Sequence, residues 1–551
     1  MEFPANLREI IRDDARARAA YSEGAGIYRI VPAAVCTPRN VAELSQLLRW
    51  AFESGTALIF RGAGSAMGGG NVGSGVVVDL AALAPRVLAI DPVGRTARTS
   101  ANVTLAELND AASASGLRLP PDPSSANWAT VGGMVSTNAA GPRTLRYGSI
   151  RPWVRALEVV TTSGDHGWIR RRAEAVPGEP GMSDAALLEL EARLTSEIHP
   201  FASLISASFP RTRKNSSGYA LDAFVESGDL VDLLIGSEGT LAAIITVDWR
   251  LDPIPAEHAA LRISLRSLDD LGDAVPALAR LGPSAIELLD RTFLELVRTS
   301  SRSVELPAWP TDTQAMLLVE FEGENTGSVR GLVGDAVRAV EPWAAEVETA
   351  LTADEERRLW ALRHAASPIL VGLPETRRSM QVIEDGCVPL SRLAEYIGFI
   401  RRAADTRGLS VVIFGHAGDG NVHVNLLPEL ARVDWQTQVA GLMDEVMAEV
   451  IRLGGTVTGE HGDGRLRAGL LEAQYGAEVV TLFRKVKTAF DPNGILNPGV
   501  LLDPDAPAIA RLKTGTGAAP IPGDIARALR DIERTGGYAR VRMEVADEVA
   551  G

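Results

Sequence analysis

Residues 57–80 read ALIFRGAGSAMGGGNVGSGVVVDL, a run in which two short apolar stretches enclose a loop rich in glycine. The stretches Ala57–Phe60 and Val76–Leu80 have the composition of β-strands. No helical pattern directly follows the glycines, which excludes the strand–loop–helix unit whose helix N-terminus faces a pyrophosphate. The run instead predicts strand–loop–strand, and its bare backbone N–H groups would suit an anionic ligand. A plain flexible loop is the alternative.

Further loops of small residues follow along the chain. They are Pro120–Ser125, Val131–Gly141, Lys214–Tyr219 and Gly236–Thr240. Small side chains let the backbone approach a flat ring or a phosphate closely. Each loop alone is weak support. With Pro120–Gly141 taken as one loop, and together with the glycine loop of residues 57–80, they make four such loops in order, which predict one ligand site. Before them, apolar residues at helical spacing predict a helix over Val41–Glu53.

The C-terminal half contains two segments rich in Gly and Asp, which are Gly415–His423 and Glu460–Gly464. Together they hold three of the seven histidines. Apolar residues precede and follow the first segment, which predicts two strands joined by a tight turn. Such a hairpin would bring His416 and His423 to one mouth, and a short strand-like run, Thr456–Thr458, could deliver Glu460 there. Two imidazoles, a carboxylate and an open position fit a catalytic divalent metal. The alternative is turn residues with incidental histidines.

Length and composition limit the function classes. A chain of 551 residues should hold two or three domains. A net charge of −15 argues against a nucleic-acid surface, and no apolar run reaches the roughly 20 residues of a membrane span. The first residues lack the pattern of a secretory signal, and Cys36 and Cys387 suit a reducing compartment. We therefore expect a cytoplasmic protein without a transmembrane segment that binds no nucleic acid. A homodimer is one oligomeric state that the chain could adopt.

The glycine-rich segments of the first half resemble the FAD-binding half of the vanillyl-alcohol-oxidase-type, or PCMH-type, flavoproteins. Gly415–His423, Glu460–Gly464 and Asp491–Gly499 look like the FAD-linked D-2-hydroxyacid dehydrogenases, the group of D-lactate, glycolate and D-2-hydroxyglutarate dehydrogenases. The resemblance implies an α+β fold with a PCMH-type two-lobed FAD-binding domain. An FAD-linked-oxidase C-terminal cap domain with an antiparallel sheet would complete it.

On this resemblance we expect five parts along the chain. They are an N-terminal segment 1–36, the FAD-binding domain 37–255, the substrate or cap domain 256–455, a helical return to the FAD domain 456–503, and a linker and tail 504–551. Thr514–Pro522 has linker composition, and Asp524–Glu533 predicts a short helix. The tail is either a docking element for an electron acceptor or a disordered or simply packed terminus.

The resemblance also implies which residues contact FAD, since the family encloses the pyrophosphate with the first glycine loop and sets the second beside the isoalloxazine. The positions carried over from the two loops are Arg61, Gly62, Ala63, Gly64, Ser65, Gly68, Gly69, Pro121, Asp122, Ser124, Gly132, Gly133, Thr137, Asn138 and Gly141. Ile244 would approach the adenine, and Asn497 would return the C-terminal helices to the flavin domain. Some relatives attach flavin covalently through a histidine where this chain has Ser65, so we expect non-covalent FAD.

For the reaction, the resemblance implies His416, His423 and Glu460 as ligands of a divalent metal, usually zinc. His461 matches the general base on the 2-hydroxyl, with a structural role as its alternative, and Asn425 matches a substrate contact. Arg363 would bind the substrate carboxylate with Ser367 one helical turn on, and Arg378 could add a second positive contact.

The expected function is oxidation of a small D-2-hydroxyacid to the 2-oxo acid. Two thiols cannot hold a four-cysteine iron–sulfur cluster, so we expect an external electron acceptor: an iron–sulfur subunit, an electron-transfer flavoprotein or a quinone-linked partner. Two alternatives stay open. One is a flavin alcohol or aldehyde oxidase that uses O₂, and the other is an FAD-bearing subunit of an electron-transfer complex.

Overall fold

The computed structural model describes residues 2–174, 185–299 and 308–548. Strands of the first half are β1 (Ile11–Arg12), β2 (Ala34–Cys36), β3 (Leu58–Arg61), β4 (Val76–Asp79), β5 (Leu88–Asp91), β6 (Thr96–Ser100), β7 (Leu117–Arg118), β8 (Val154–Val160), β9 (His166–Arg170), β10 (Ala243–Arg250) and β11 (Asp252–Pro253). Strands of the second half are β12 (Glu257–Leu265), β13 (Ala285–Asp290), β14 (Ala315–Gly323), β15 (Ala344–Ala350), β16 (Ser410–Gly415) and β17 (His423–Leu427).

The helices occur in every part of the described chain. Up to residue 234 they are α1 (Ala15–Ala20), α2 (Val41–Ser54), α3 (Leu105–Ser113), α4 (Val131–Thr137), α5 (Thr144–Tyr147), α6 (Ala185–Ile198), α7 (Ala202–Ser208), α8 (Leu221–Ser227) and α9 (Leu230–Leu234). Beyond it they are α10 (Leu271–Ala279), α11 (Arg291–Thr299), α12 (Thr326–Val340), α13 (Ala353–His364), α14 (Ala366–Val371), α15 (Leu393–Thr406), α16 (Trp435–Arg452), α17 (Leu471–Tyr475), α18 (Ala477–Phe490), α19 (Gly523–Thr535) and α20 (Arg542–Asp547).

The first half forms two lobes, each built on its own sheet. The first lobe has the strand order β1-β2-β4-β3, with β4 parallel to both β2 and β3. The second lobe has the antiparallel order β5-β6-β10-β8-β9. The glycine loop connects β3 directly to β4 without a helix, so the strand–loop–strand prediction is confirmed.

Helix α2 covers one face of the first sheet and follows the predicted pattern. Asn40 caps its start by accepting from the amide of Glu43, and Gly55 ends it in the left-handed conformation with φ of 67°. Leu44 and Leu48 on its apolar side are buried against strand residues such as Val78. The prediction of a helix over Val41–Glu53 is confirmed within one residue.

The second small-residue loop differs from the expected irregular chain, because Val131–Thr137 is the short helix α4. The Thr130 side chain accepts from the Gly133 amide at its start, and Asn138 ends it in the left-handed conformation. Gly132 lies so close to Ala101 that an added Cβ would come within 2.6 Å of the Ala101 Cβ. The glycines therefore serve close packing of a helix against the second lobe.

The second half contains a six-stranded antiparallel sheet, which we call the cap sheet, of order β15-β12-β14-β13-β16-β17. Side chains alternate between its two faces. The outer face packs against α10, α12, α15 and α16 through residues such as Leu261, Leu288, Val319 and Val424. The inner face turns toward the two lobes. The sheets change between β11 and β12, next to the predicted boundary at 255, although the domain bounds themselves stay predictions.

Two further predicted segments have different outcomes. Thr456–Thr458 is not a strand, since Thr456 makes only an isolated bridge with Cys387. The tail carries the predicted helix as α19, whose Ile525, Leu529 and Ile532 are buried. The described tail is therefore folded onto the rest of the protein. Among the described residues, no helix has the length and apolar composition required to cross a bilayer.

Candidate active site

A cavity of about 1650 Å³ lies where the glycine loops, the inner face of the cap sheet and the end of α19 meet. Both lobes and the cap contribute to its wall. Small-molecule pockets commonly measure about 300–1,000 Å³. This cavity therefore has room for a large cofactor together with a small second ligand.

The hairpin of β16 and β17 brings two histidines to this cavity. The strands pair antiparallel with Phe414 opposite His423, and both His416 and His423 line the wall. In the turn, Gly420 has φ of 74°, and an added Cβ would lie 2.1 Å from the carbonyl oxygen of Val388. Only glycine fits there. The predicted hairpin is confirmed.

Three potential metal donors converge beside the hairpin. The Nε2 atom of His416 lies 2.9 Å from Oε1 of Glu460 and 3.3 Å from Nε2 of His423. Nε2 of His423 lies 3.4 Å from the same Glu460 oxygen. Donors of a tetrahedral ion with bonds of about 2.0–2.1 Å stand about 3.3 Å apart. The three atoms thus have the spacing of three corners of a tetrahedral site.

Each histidine of this set is held by its other ring nitrogen. Nδ1 of His416 lies 2.6 Å from Oε1 of Glu287, and Nδ1 of His423 lies 3.2 Å from the carbonyl oxygen of Glu384. If both Nδ1 atoms donate, both Nε2 atoms carry the lone pair that a metal needs. A carboxylate or carbonyl behind a ligating histidine is the usual arrangement in metal sites. The donor set therefore fits a divalent ion.

Asp385, His423, Glu460 and His461 form an overlapping group whose ligand atoms lie within 4.8 Å of one another. Asp385 is already occupied, because its Oδ2 accepts from the amides of Glu460 and His461 at 3.0 and 2.8 Å. Its carboxylate therefore shapes the loop that carries Glu460 and His461. Sequence reasoning missed this role.

The charges around the donors are unusual for buried groups. Burial lowers the pKa of His416, but the Glu287 and Glu460 carboxylates together outweigh burial and raise that pKa to about 9. Burial raises the pKa of Glu460, yet Lys214 and His416 together hold it well below its usual value. A cation that binds at His416 would therefore displace a proton.

Lys214 is a residue of this site that the sequence reasoning assigned only to a small-residue loop. Its side chain is fully buried, and its Nζ donates to Oε2 of Glu460 at 2.7 Å. Asp419 lies 3.7 Å from the same nitrogen. A buried lysine between two carboxylates keeps both from being isolated charges. It also leaves Oε1 of Glu460 for the histidines.

His461, the predicted base, lies beside the donor cluster. Its ring stacks on His423 with centroids 5.1 Å apart, and its Nε2 lies 3.9 Å from Oε1 of Glu460. Its Nδ1 lies 2.6 Å from Oε1 of Glu384. Burial lowers the pKa of His461, but Glu384 and Asp385 outweigh burial and raise it to about 10. The resulting carboxylate–imidazole pair resembles the orienting pair of many general bases.

Three of the four predicted substrate residues line the cavity, and one does not. Arg363, Ser367 and Asn425 line the cavity. Nε of Arg363 donates to Oε2 of Glu287 at 2.6 Å, and Oδ1 of Asn425 accepts from Ser379 at 2.9 Å. Arg378 is not among the lining residues of this cavity.

Arg378 is instead engaged by the tail. Its Nη2 donates to Oε2 of Glu533 in α19 at 2.5 Å. Because Glu533 is distant in sequence, the partner of the Arg378 guanidinium could not be predicted from the sequence.

Most of the predicted FAD positions also line the cavity. They are Arg61, Gly62, Ala63, Gly64, Ser65, Asp122, Ser124, Gly132, Gly133, Thr137, Gly141 and Ile244. Gly68, Gly69, Pro121, Asn138 and Asn497 are not among the lining residues. Nδ2 of Asn497 donates to the carbonyl oxygens of Gly70 and Glu238 at 2.7 and 2.8 Å. It thereby joins the segment after α18 to the glycine loop.

The glycine loop fits the phosphate groups of a cofactor. In the described chain, the amides of residues 62–66 donate no hydrogen bond to the protein, although these residues belong to a cavity wall. Unpaired backbone N–H groups in a protein wall call for a partner. Successive amides of this kind bind anions such as a pyrophosphate.

Two protein families match successive parts of the chain. The family described as "FAD binding domain" matches residues 32–169. The family described as "FAD linked oxidases, C-terminal domain" matches residues 254–501. The two matches cover the glycine loop and the His/Glu cluster, respectively.

Curated relatives match over most of the chain. "Glycolate oxidase subunit GlcD" of Bacillus subtilis is 30% identical over 90% of this chain and 94% of its own length. "D-lactate dehydrogenase" of Archaeoglobus fulgidus is 32% identical over 84% of this chain and 90% of its own length. "D-2-hydroxyglutarate dehydrogenase" of Escherichia coli is 30% identical over 92% of this chain, which spans 52% of that longer protein.

Solved structures share the fold at low identity. The 4-ethylphenol oxidase from Gulosibacter chungangensis superposes with a TM-score of 0.65 at 15% identity, over 90% of this chain and 95% of its own. p-Cresol methylhydroxylase with substrate bound gives 0.62 at 16% identity, over 90% of this chain and 94% of its own. The expected two-lobed PCMH-type fold with its cap is confirmed.

Proposed function

The chain belongs to the FAD-linked oxidoreductases of the D-lactate, glycolate and D-2-hydroxyglutarate dehydrogenase type, and from that premise we propose that it oxidises a D-2-hydroxyacid to the 2-oxo acid with the help of a divalent metal. The observation that carries the proposal is the trio His416, His423 and Glu460, whose facing donor atoms are 2.9–3.4 Å apart. The trio lies beside His461 in the cavity that the glycine loops share. An α-hydroxyacid offers a hydroxyl and a carboxylate, which suits a metal with open positions.

When bound, the metal would polarise the 2-hydroxyl, and FAD would accept the α-hydrogen together with its bonding electron pair. His461 takes the hydroxyl proton at Nε2, because its Nδ1 is held by Glu384. The neutral imidazole is required for this step. A cation at Glu460 lowers the His461 pKa, which the carboxylates raise in its absence.

The chain supplies further groups for binding the acid. Arg363 is buried beside the cavity and stacks over Phe414 at 5.0 Å, with Glu287 fixing its Nε. Its remaining guanidinium nitrogens bind the substrate carboxylate in this proposal. Ser379 donates to Oδ1 of Asn425. The Nδ2 group of Asn425 contacts the acid in this proposal. Ser367 stands on the same wall.

Electrons leave to an external acceptor in this proposal. Cys36 and Cys387 are both buried and free, and they are too few for an iron–sulfur cluster. The B. subtilis relative is named a subunit, which favours a second reading in which this chain is the FAD-bearing subunit of a larger enzyme. Both readings suit a cytoplasmic protein, where such thiols stay reduced.

The flavin is expected to be released by denaturation. Ser65 lines the cavity. On the family resemblance it stands where some relatives have a linking histidine, and a hydroxyl forms no such flavin bond. Acid precipitation of the yellow protein should leave all FAD in the supernatant, as measured by absorbance at the flavin maximum. Flavin that stays with the washed pellet would show a covalent link elsewhere.

The substrate class is tested by anaerobic flavin reduction. The purified holoprotein is mixed with matched D- and L-2-hydroxyacids, and bleaching of the flavin band is followed. D-enantiomers should reduce the flavin much faster than L-enantiomers. The equivalent alcohols without a carboxylate serve as controls and should react slowly. Fast reduction by a simple alcohol, with no response to any 2-hydroxyacid, would favour the alcohol oxidase alternative.

A further inference from the structure

Residues 521–548 lie beyond residue 501, where the family match ends. We call this segment, which contains α19 and α20, the C-terminal wall. Its apolar residues cover the face of the first-lobe sheet that α2 leaves open. Ile525 and Leu529 are buried together with Ile59 and Val77 of that sheet and with Tyr21. The segment is thus an integral layer of the first lobe.

The end of α19 reaches the cofactor cavity. Residues 533–536 and Tyr538 form part of the cavity wall. The Tyr538 ring lies 6.0 Å from the ring of Trp128, and a Cβ on Gly536 would lie 3.3 Å from the same indole. Trp128 lies between Ser124 and Gly132 in sequence, within the second predicted FAD segment. The C-terminal wall therefore closes the cavity next to that segment.

The C-terminal half of α19 also contacts the cap. Nη2 of Arg530 donates to the carbonyl oxygen of Val371 at 3.2 Å, and its Nε donates to Glu375 at 2.7 Å. Arg534 donates to the same Glu375 oxygen at 2.8 Å. The C-terminal wall consequently bridges the first lobe and the cap across the mouth of the cavity.

Glu533 is the centre of this bridge. Its carboxylate meets Arg378 of the cap at 2.5 Å, Lys513 at 3.0 Å and Arg530 of its own helix at 2.8 Å. The Glu533 side chain is 17% exposed. Burial raises its pKa, but Lys513, Arg378 and Arg530 outweigh burial and lower it to about 2. The carboxylate is therefore charged and paired at any working pH.

The same network reaches the glycine loop. Nζ of Lys513 donates to the carbonyl oxygen of Ala25 at 3.4 Å. The amide of Ala25 in turn donates to the carbonyl oxygen of Gly64 at 2.9 Å. Glu533 is thus linked through Lys513 to the glycine loop, whose residues line the cavity.

We propose that the C-terminal wall, fastened at Glu533, retains FAD in the protein. Ser65 provides no covalent link, so retention depends on the walls that enclose the cofactor. FAD cannot leave past Trp128 and the glycine loop while α19 joins them to the cap. The proposal rests on non-covalent FAD bound at the two glycine segments and is independent of which acid is oxidised.

The test is the rate of FAD release from the holoprotein. Glu533→Gln keeps the shape of the side chain but leaves three cations without their carboxylate, a costly change for partly buried groups. We expect release from diluted holoprotein to become about 10-fold faster or more, a size that the loss of one such network supports. Free FAD is separated by ultrafiltration at timed intervals and measured by fluorescence, without substrate.

Asp531→Asn is the matched control. Asp531 is exposed on the same helix, two residues from Glu533, and its charge is lost in the same way. Its release rate should equal that of the parent. Arg378→Gln removes only the cap partner and should speed release in the same direction as Glu533→Gln. In the double variant, the acceleration of FAD release should be smaller than the product of the two single accelerations, because both changes break the same contact.

Two results would overturn the proposal. One is parent-like release from both Glu533→Gln and Arg378→Gln while each protein keeps the parent thermal midpoint. The other is equal acceleration by Asp531→Asn, which would assign the effect to the general charge of the helix. Failure of the substrate proposal would leave these release rates unchanged, so the two tests are separable.

Discussion

Replacing His423 with alanine is expected to reduce turnover by about 10³-fold or more while the protein keeps its FAD. The change removes one of the three facing donors and leaves two, His416 and Glu460. Polarisation by a bound metal contributes several kcal/mol to such reactions, and each 1.36 kcal/mol is a factor of ten in rate. FAD content should stay at the parent value, because the glycine loops that fit FAD lie in other parts of the chain.

The metal is measured directly in the same experiment. Elemental analysis should find about one divalent ion per parent chain and much less in His423→Ala. His364→Ala is the matched control, since His364 also lines the cavity but lies outside the cluster. Its metal content and rate should be close to those of the parent. Full activity in parent protein shown to be free of metal would contradict the assignment.

Metal removal should leave the protein folded. In the absence of a cation, Glu460 keeps a buried partner, because Nζ of Lys214 lies 2.7 Å from its Oε2. His416 likewise keeps Glu287. A buried carboxylate that is already paired does not become an isolated charge when the ion leaves. Loss of activity on chelation can therefore be separated from unfolding by circular dichroism.

His461→Asn is expected to slow flavin reduction by about 10²–10⁴-fold, the range for loss of a general base. Asparagine keeps a polar side chain at the site but cannot take the hydroxyl proton. FAD and metal content should be unchanged, since the ring of His461 stacks on His423 without belonging to the proposed trio. Stopped-flow absorbance under anaerobic conditions measures the effect on the reductive step alone.

The chain offers a matched control for this change. His166 also pairs with a glutamate, its Nε2 lying 2.7 Å from Oε1 of Glu158, but its side chain is 42% exposed and it is not among the lining residues of the cavity. His166→Asn should reduce flavin at the parent rate. A parent-like rate in His461→Asn would assign the proton transfer to another group.

Local pattern predicted much of this site. The apolar runs around Gly-Asp-Gly fix the hairpin register, and that register sets His416 and His423 side by side. The glycine loop could also be predicted from local sequence, because no helical spacing of apolar residues occurs between its two strand patterns. These features depend on neighbours in sequence, and sequence reasoning can therefore reach them.

Contacts between distant segments could not be predicted. Lys214 is 246 positions from Glu460, which it pairs with, and nothing near either residue indicates the other. Glu287 meets His416 only because β13 pairs with β16 in the cap sheet. From the sequence, Arg378 is expected to contact the substrate. Its actual partner, Glu533, is brought to it by the packing of the tail, which the sequence does not show. Each of these depends on tertiary structure alone.

The first-lobe sheet has a consequence for the order in which the protein matures on the ribosome. One of its faces is covered by α2, which is made early, while the other is covered by α1 together with α19 and α20. A nascent chain that has not yet reached residue 525 must leave Val35, Ile59 and Val77 partly open to water. The lobe therefore completes its core only after the cap has been synthesised. Until then the cavity is open on the side of α19, which gives a flavin from the surrounding solution a period in which to enter.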